Sequence, residues 1–175
     1  MSAPQFRPLD TFEYGTAEQV TPLIRRVIAE NPSKFTYQGT GTYIVGHGDV
    51  VVIDPGPVLD SHRDALATAL EGERVHAILV THCHADHSPL PAWLVDETGA
   101  PTFGFGPHPL PEPGTDPVEP DDPDEDGDGA VKIEESTDHD FVPCDAVIDG
   151  DLVVSSTRLT MRAVLTPGHT SNHMC

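Results

Sequence analysis

No apolar run in this sequence approaches the roughly 20 residues that a membrane-crossing helix needs, which argues against a helical membrane protein. The start, Met1-Ser2-Ala3-Pro4-Gln5-Phe6-Arg7, lacks the basic-then-apolar order of a secretory leader, so a cytoplasmic home is expected. Cysteine is scarce. Cys83, Cys144 and Cys175 are too few and too scattered for a disulfide framework, and reduced thiols are the default. Basic residues are few as well, with 9 Lys and Arg against 29 Asp and Glu. Arg25 and Arg26 are the only adjacent basic pair, and no basic stripe is interleaved with aromatic residues. Strong non-specific binding to nucleic acid is therefore not expected.

What is present is divided unevenly. The net charge of −20 is concentrated in residues 111–140, which hold 13 acidic side chains and five prolines against Lys132 alone. Such a segment cannot bury enough apolar area to offset its ordering entropy, so a loosely held insertion is expected at about 109–140. Within it, Asp124 to Glu135 matches a calcium-loop pattern, with acids at positions 1, 3, 5 and 12 and glycine at 6. No helical pattern flanks it, and a solvated acidic loop is the better reading. The remaining chain is only mildly acidic, and with 175 residues and 37% hydrophobic content it suffices for one domain with a real core.

Residues 1–19 show no sustained period and read as an irregular lead-in. Val20 to Glu30 fits helix or strand. Thr40 to Val45 and Val50 to Ile53 are β-branched and aromatic runs joined by Gly46-His47-Gly48-Asp49, a hairpin with a four-residue turn. A helix is expected from about His62 to Glu71, with Ser61 and Asp64 approximating a capping box and Gly72 as the stop. Val75 to Val80 is apolar apart from His76 and is expected to be a strand covered on both faces. Ser88 as N-cap and Pro89 at the first helical position open a second helix that Gly99 ends. Pro101 to Phe105 reads as a short strand. Leu152 to Val154 and Arg158 to Leu165 read as paired strands after an Asp149-Gly150-Asp151 turn. Strand, helix, strand, helix, strand indicates an α/β layer architecture.

The chemistry concentrates in Thr81-His82-Cys83-His84-Ala85-Asp86-His87-Ser88. Three imidazoles and a carboxylate within six residues are the donor types that a divalent transition metal prefers. In an extended chain residue 87 would point away from 82, 84 and 86, so the four side chains need a loop to converge.

This stretch resembles the HxHxDH signature of the metallo-beta-lactamase fold, and Thr166-Pro167-Gly168-His169-Thr170 resembles its second metal motif. Phe35 to Tyr43, Ile53-Asp54-Pro55-Gly56-Pro57 and Gly104-Phe105-Gly106-Pro107-His108 add further matches, together similar to the beta-lactamase-like-protein-2 subgroup, whose animal members are mitochondrial endoribonucleases. Gly41, where asparagine is usual, and Cys83, where threonine is usual, depart from it. The resemblance favours strand for Val20 to Glu30 and implies the first half of a four-layer αββα sandwich with a mixed sheet, spanning 20–175.

The resemblance further implies a metal-dependent hydrolase using a zinc-activated hydroxide on an RNA phosphodiester or a small ester or thioester. His82, His84 and His169 map to one metal, Asp86 and His87 to the other. Two zinc ions are expected in the full-length fold, with iron or manganese as alternatives. Asp86 also maps to a catalytic role, orienting the hydroxide or carrying a proton. Asp54 either orients a ligand histidine or caps its turn. His173 reads more readily as a non-ligand, while His47, His62, His76, His108 and His139 receive no role. The family's second half supplies a bridging aspartate and a final histidine. No candidate for either follows His169, so the chain is expected to be an N-terminal fragment, or a truncated product that is catalytically deficient. An uncovered sheet face and self-association would follow.

Overall fold

The computed structural model describes residues 12–106, 137–156 and 159–175. Among them, β1 (Ala17–Thr21), β2 (Ile24–Ile28), β3 (Gly41–His47), β4 (Asp49–Ile53), β5 (Arg74–Leu79), β6 (Thr102–Gly104) and β7 (Asp145–Ala146) form one mixed sheet in that order. The first four strands pair antiparallel, and β4 through β7 pair parallel. Two helices, α1 (Asp60–Ala69) and α2 (Pro91–Thr98), are the crossovers that parallel pairing requires.

Alternation along β4 decides the layers. Val50 and Val52 face the helices and pack with Ile44, Ile78, Leu66 and Leu94, while Val51 faces the other way with Val45, Ala77 and Leu79. A register shift between β4 and β5 near Val50 leaves His76 exposed, so Val75 and Ile78 share the helix side. The second face was expected to be bare. Instead β8 (Leu152–Ser155) and β9 (Thr160–Arg162) form a small antiparallel sheet whose Val154 covers Val45, Val51, Ala77 and Leu79. Each valine or leucine removed from water here contributes about 1.5–3 kcal/mol.

Other differences are local. The lead-in is shorter than 1–19, because β1 begins at Ala17, and Thr137, the first residue described after 106, bridges to His84. The hairpin turn shrinks to Gly48 (φ 76°), since glycine at Gly46 (φ 106°) and Gly48 lets both strands run on. Helix α1 starts earlier, behind Leu59 without a side-chain cap; Asp60 instead pairs with Arg63 at 2.9 Å across the first turn. Helix α2 starts later, with Leu90 as N-cap and Pro91 as its first residue, because the Ser88 hydroxyl is taken by Asp138 at 2.7 Å. Arg158, His108 and Asp124 to Glu135 lie outside the described residues. No helix among those described is long and apolar enough to cross a membrane.

Candidate metal centre

The site forms where parallel strands β4 and β5 end, the position at which open α/β sheets leave a crevice. After β5 the chain turns tightly. The His87 and Ser88 amides both donate to the His84 carbonyl, at 2.9 and 3.1 Å, and Gly56 N–H donates to the His87 carbonyl at 3.2 Å. This loop swings residue 87 round to the side that an extended chain denies it. The rings of His82 and His84 lie 4.6 Å apart, and those of His82 and His87 lie 4.3 Å apart.

His169 arrives from a separate segment. Val164 and Cys175 exchange both backbone hydrogen bonds at 2.8 Å, Thr166 N–H donates to the His173 carbonyl at 2.9 Å, and Met174 N–H donates to the Thr81 carbonyl at 2.9 Å. Asn172 Nδ2 donates to Cys83 Sγ at 3.0 Å and to the Gly106 carbonyl at 3.2 Å. The unusual Cys83 therefore serves as a buried acceptor between the two motifs. As a result the ring of His169 stands 4.8 Å from that of His82 and 4.7 Å from that of His84.

Asp54 organises the interior side. It occupies left-handed backbone (φ 49°), uncommon for a side chain other than glycine, asparagine or aspartate. Its Oδ1 accepts from Thr81 N–H at 2.7 Å, and its Oδ2 accepts from the Thr81 hydroxyl at 2.7 Å and from His87 Nδ1 at 3.0 Å. A carboxylate only accepts, so the Thr81 hydroxyl proton is committed to Asp54. The 2.9 Å contact from Thr81 Oγ1 to His82 Nδ1 must then be donated by the ring. That fixes a proton on His82 Nδ1 and leaves Nε2 with its lone pair.

Electrostatics leave His82 ready to donate a lone pair, whereas His87 carries a proton that a metal would have to displace. Burial, then the neighbouring imidazoles, pull the pKa of His82 down to about 3, so the ring is neutral near pH 7. Burial opposes a charge on His87, but its hydrogen bonds to Asp54 and Asp86 and their negative charge outweigh it and push its pKa up to about 10. Burial likewise opposes the Asp86 carboxylate. The hydrogen bond and charge of His87 and the Thr40 hydroxyl nevertheless hold it well below the usual carboxylate range.

One ligand atom from each of His82, His84 and His169 lies within 4.8 Å of the others, with the first two buried and the third exposed. The donors of a tetrahedral ion bound at about 2.0–2.1 Å stand roughly 3.3 Å apart, so the three imidazoles would draw together by up to about 1.5 Å to hold one, and the exposed side leaves a position open. Asp86 Oδ2 and His87 Nε2 lie 3.3 Å apart beside them.

The family whose sequence profile matches residues 36–175 is described as the Metallo-beta-lactamase superfamily. The chain belongs to this superfamily. An atrochrysone carboxyl ACP thioesterase from Cryptosporiopsis sp. (strain 8999) is 33% identical over 90% of this chain and 40% of its own length. One from Claviceps purpurea (strain 20.1) is 30% identical over 93% of this chain and 44% of its own. The lactamase-like protein ptaB of Pestalotiopsis fici is 40% identical over 41% of the chain and 24% of its own length. The chain thus spans less than half the length of these relatives. Among solved structures, a beta-lactamase domain protein from Burkholderia ambifaria (TM-score 0.63, 19% identity, 95% of this chain and 52% of that one) shares the fold. So does a subclass B3 metallo-beta-lactamase of Bradyrhizobium japonicum (TM-score 0.59, 20% identity, 90% and 54%).

All five residues mapped onto the superfamily's metal motifs, His82, His84, Asp86, His87 and His169, come to one place, and Asp54 lies against His87. His173 sits beside them, its ring 5.1 Å from that of His82 and its Nδ1 2.8 Å from Thr166 Oγ1. His47 and His76 are exposed, whereas His62 is 2% exposed and bonds Pro55 O at 3.1 Å and Thr42 Oγ1 at 2.9 Å. Sequence reasoning missed Thr81, Thr40 and Asn31. Only the alternation Thr40-x-Thr42 hinted that hydroxyls share one face.

Proposed function

We propose that this chain carries the metal-binding half of a hydrolase whose substrate is a thioester. His82, His84 and His169 hold one metal, and Asp86 with His87 contribute to a second. Zinc suits the donor set best, with iron or manganese as alternatives. When bound, the metal supplies Lewis-acid activation of water at neutral pH and of the substrate's carbonyl oxygen. The protein's own part is positional. Thr81 and Asp54 fix the tautomers of His82 and His87, and Asp86, held as a carboxylate, can accept a hydrogen bond from the attacking water and so orient it.

The observation that carries this reading is the meeting of His169 with His82 and His84 within 4.8 Å, on a side open to solvent. The names of the relatives favour a thioester, whereas the resemblance to the beta-lactamase-like-protein-2 subgroup favours RNA. Against RNA, Arg25 pairs with Glu73 and Arg26 with Glu18, both at 2.7 Å, so the one adjacent basic pair is already neutralised. The test is turnover of an acyl thioester and of a fluorogenic oligoribonucleotide by the zinc-loaded chain, with and without chelator. Chelator-sensitive thioester cleavage that His84→Ala abolishes supports the reading, and exclusive RNA cleavage defeats it.

A second reading, a metal-binding half-domain without turnover, is favoured by the second half-site, to which the described residues contribute only Asp86 and His87. Stoichiometric zinc with no turnover on either substrate would select it.

A further inference from the structure

The motif Thr40-Gly41-Thr42 carries no metal donor, yet its two hydroxyls reach both acidic residues of the site, Asp86 at its carboxylate and Asp54 at its backbone carbonyl. Spaced by two, they share one face. Thr42 Oγ1 donates to the backbone carbonyl of Asp54 at 2.7 Å, and Thr40 Oγ1 meets Asp86 Oδ2 at 2.6 Å.

Asn31 sets the direction of the second bond. The Thr40 backbone N–H can only donate, and it does so to Asn31 Oδ1 at 2.9 Å. The other end of that amide is therefore the NH2 group, and it donates to Thr40 Oγ1 at 3.0 Å. With one lone pair engaged, the Thr40 hydroxyl aims its proton at Asp86. The loop that brings Asn31 there is closed as well. Thr36 Oγ1 donates to the Asn31 carbonyl at 2.6 Å and Ala29 N–H to the Thr40 carbonyl at 2.8 Å. Gly39, at φ 128°, packs so closely on the Ala29 carbonyl that a Cβ would collide with it.

We propose that Thr40, oriented by Asn31, is a positioning residue for the second metal half-site, holding the Asp86 carboxylate beside His87. The inference rests on the reading that Asp86 and His87 take part in binding a second ion. The test is a cobalt(II) titration of the chain, followed by visible absorption and chelator competition. The unsubstituted chain should show a tight and a weaker phase. T40V, isosteric but without the hydroxyl, should keep the first phase and weaken the second by about 10–100-fold, as loss of a ligand's hydrogen-bond partner commonly does. T40S restores the hydroxyl and should stay within about twofold of the parent, a rescue that a purely steric role would not predict. T40A stands in if T40V does not fold. A second phase in T40V or T40A equal to the parent's overturns the proposal. A single phase in the unsubstituted chain defeats the half-site reading itself and the proposal with it, and is told apart because no substitution is needed to see it.

Discussion

Thr81 Oγ1 joins Asp54 to His82. Its proton goes to Asp54 Oδ2 at 2.7 Å, and it accepts from His82 Nδ1 at 2.9 Å. One hydroxyl thus transmits the orientation of a strained aspartate to a ring in the histidine cluster.

Asp54→Asn tests that relay with little backbone disturbance, because asparagine also tolerates left-handed φ. The expected outcome is zinc affinity lowered about 10–100-fold with near-native circular dichroism, measured by competition with a chromophoric chelator. Unchanged affinity would remove Asp54 from the site.

His62 sets a pH limit on stability. It is 2% exposed, and burial, partly offset by its bond to Pro55, lowers its pKa to about 4. Between the ordinary value near 6.5 and about 4 the unfolded chain binds a proton that the folded chain refuses. Stability present above pH 6.5 is therefore lost as pH falls toward 4, by up to about 3 kcal/mol from this group. Urea unfolding of His62→Gln across that window should show a shallower loss than the parent. A parallel loss would assign the effect elsewhere.

Ile78 lies at 0% exposure between α1 and α2, so Ile78→Ala should cost about 2–5 kcal/mol in urea unfolding. Leu152 is 48% exposed, and Leu152→Ala should change stability by less than about 0.5 kcal/mol. Equal effects would contradict the layer assignment.

Val154 covers Val45, Val51, Ala77 and Leu79. Val154→Asp should lift the small sheet from that face and expose a contiguous apolar patch. Sedimentation velocity should then show more self-association than in the parent, together with increased dye binding. An unchanged profile would mean that the hairpin does not shield this face.

The parts legible in the sequence were those that depend on near neighbours. The run Val75 to Val80 gave a buried strand, and the spacing of His82, His84, Asp86 and His87 marked a loop of donors. Helix starts were misplaced because the hydroxyl expected to cap α2, that of Ser88, bonds Asp138 instead, 50 positions away. Thr40 and Asp86 are 46 positions apart, and nothing local to either announces the bond. The covered sheet face was missed for a similar reason: Val153 and Val154 read as a strand, but no periodicity states which sheet they pack against.

The most direct test of the metal centre is zinc affinity of His169→Ala beside His173→Ala, measured by chelator competition in the same buffer. Loss of at least about 100-fold in the first and of less than about threefold in the second is expected if His169 completes a three-imidazole site and His173 only adjoins it. Equal affinity of His169→Ala and the parent would contradict the account.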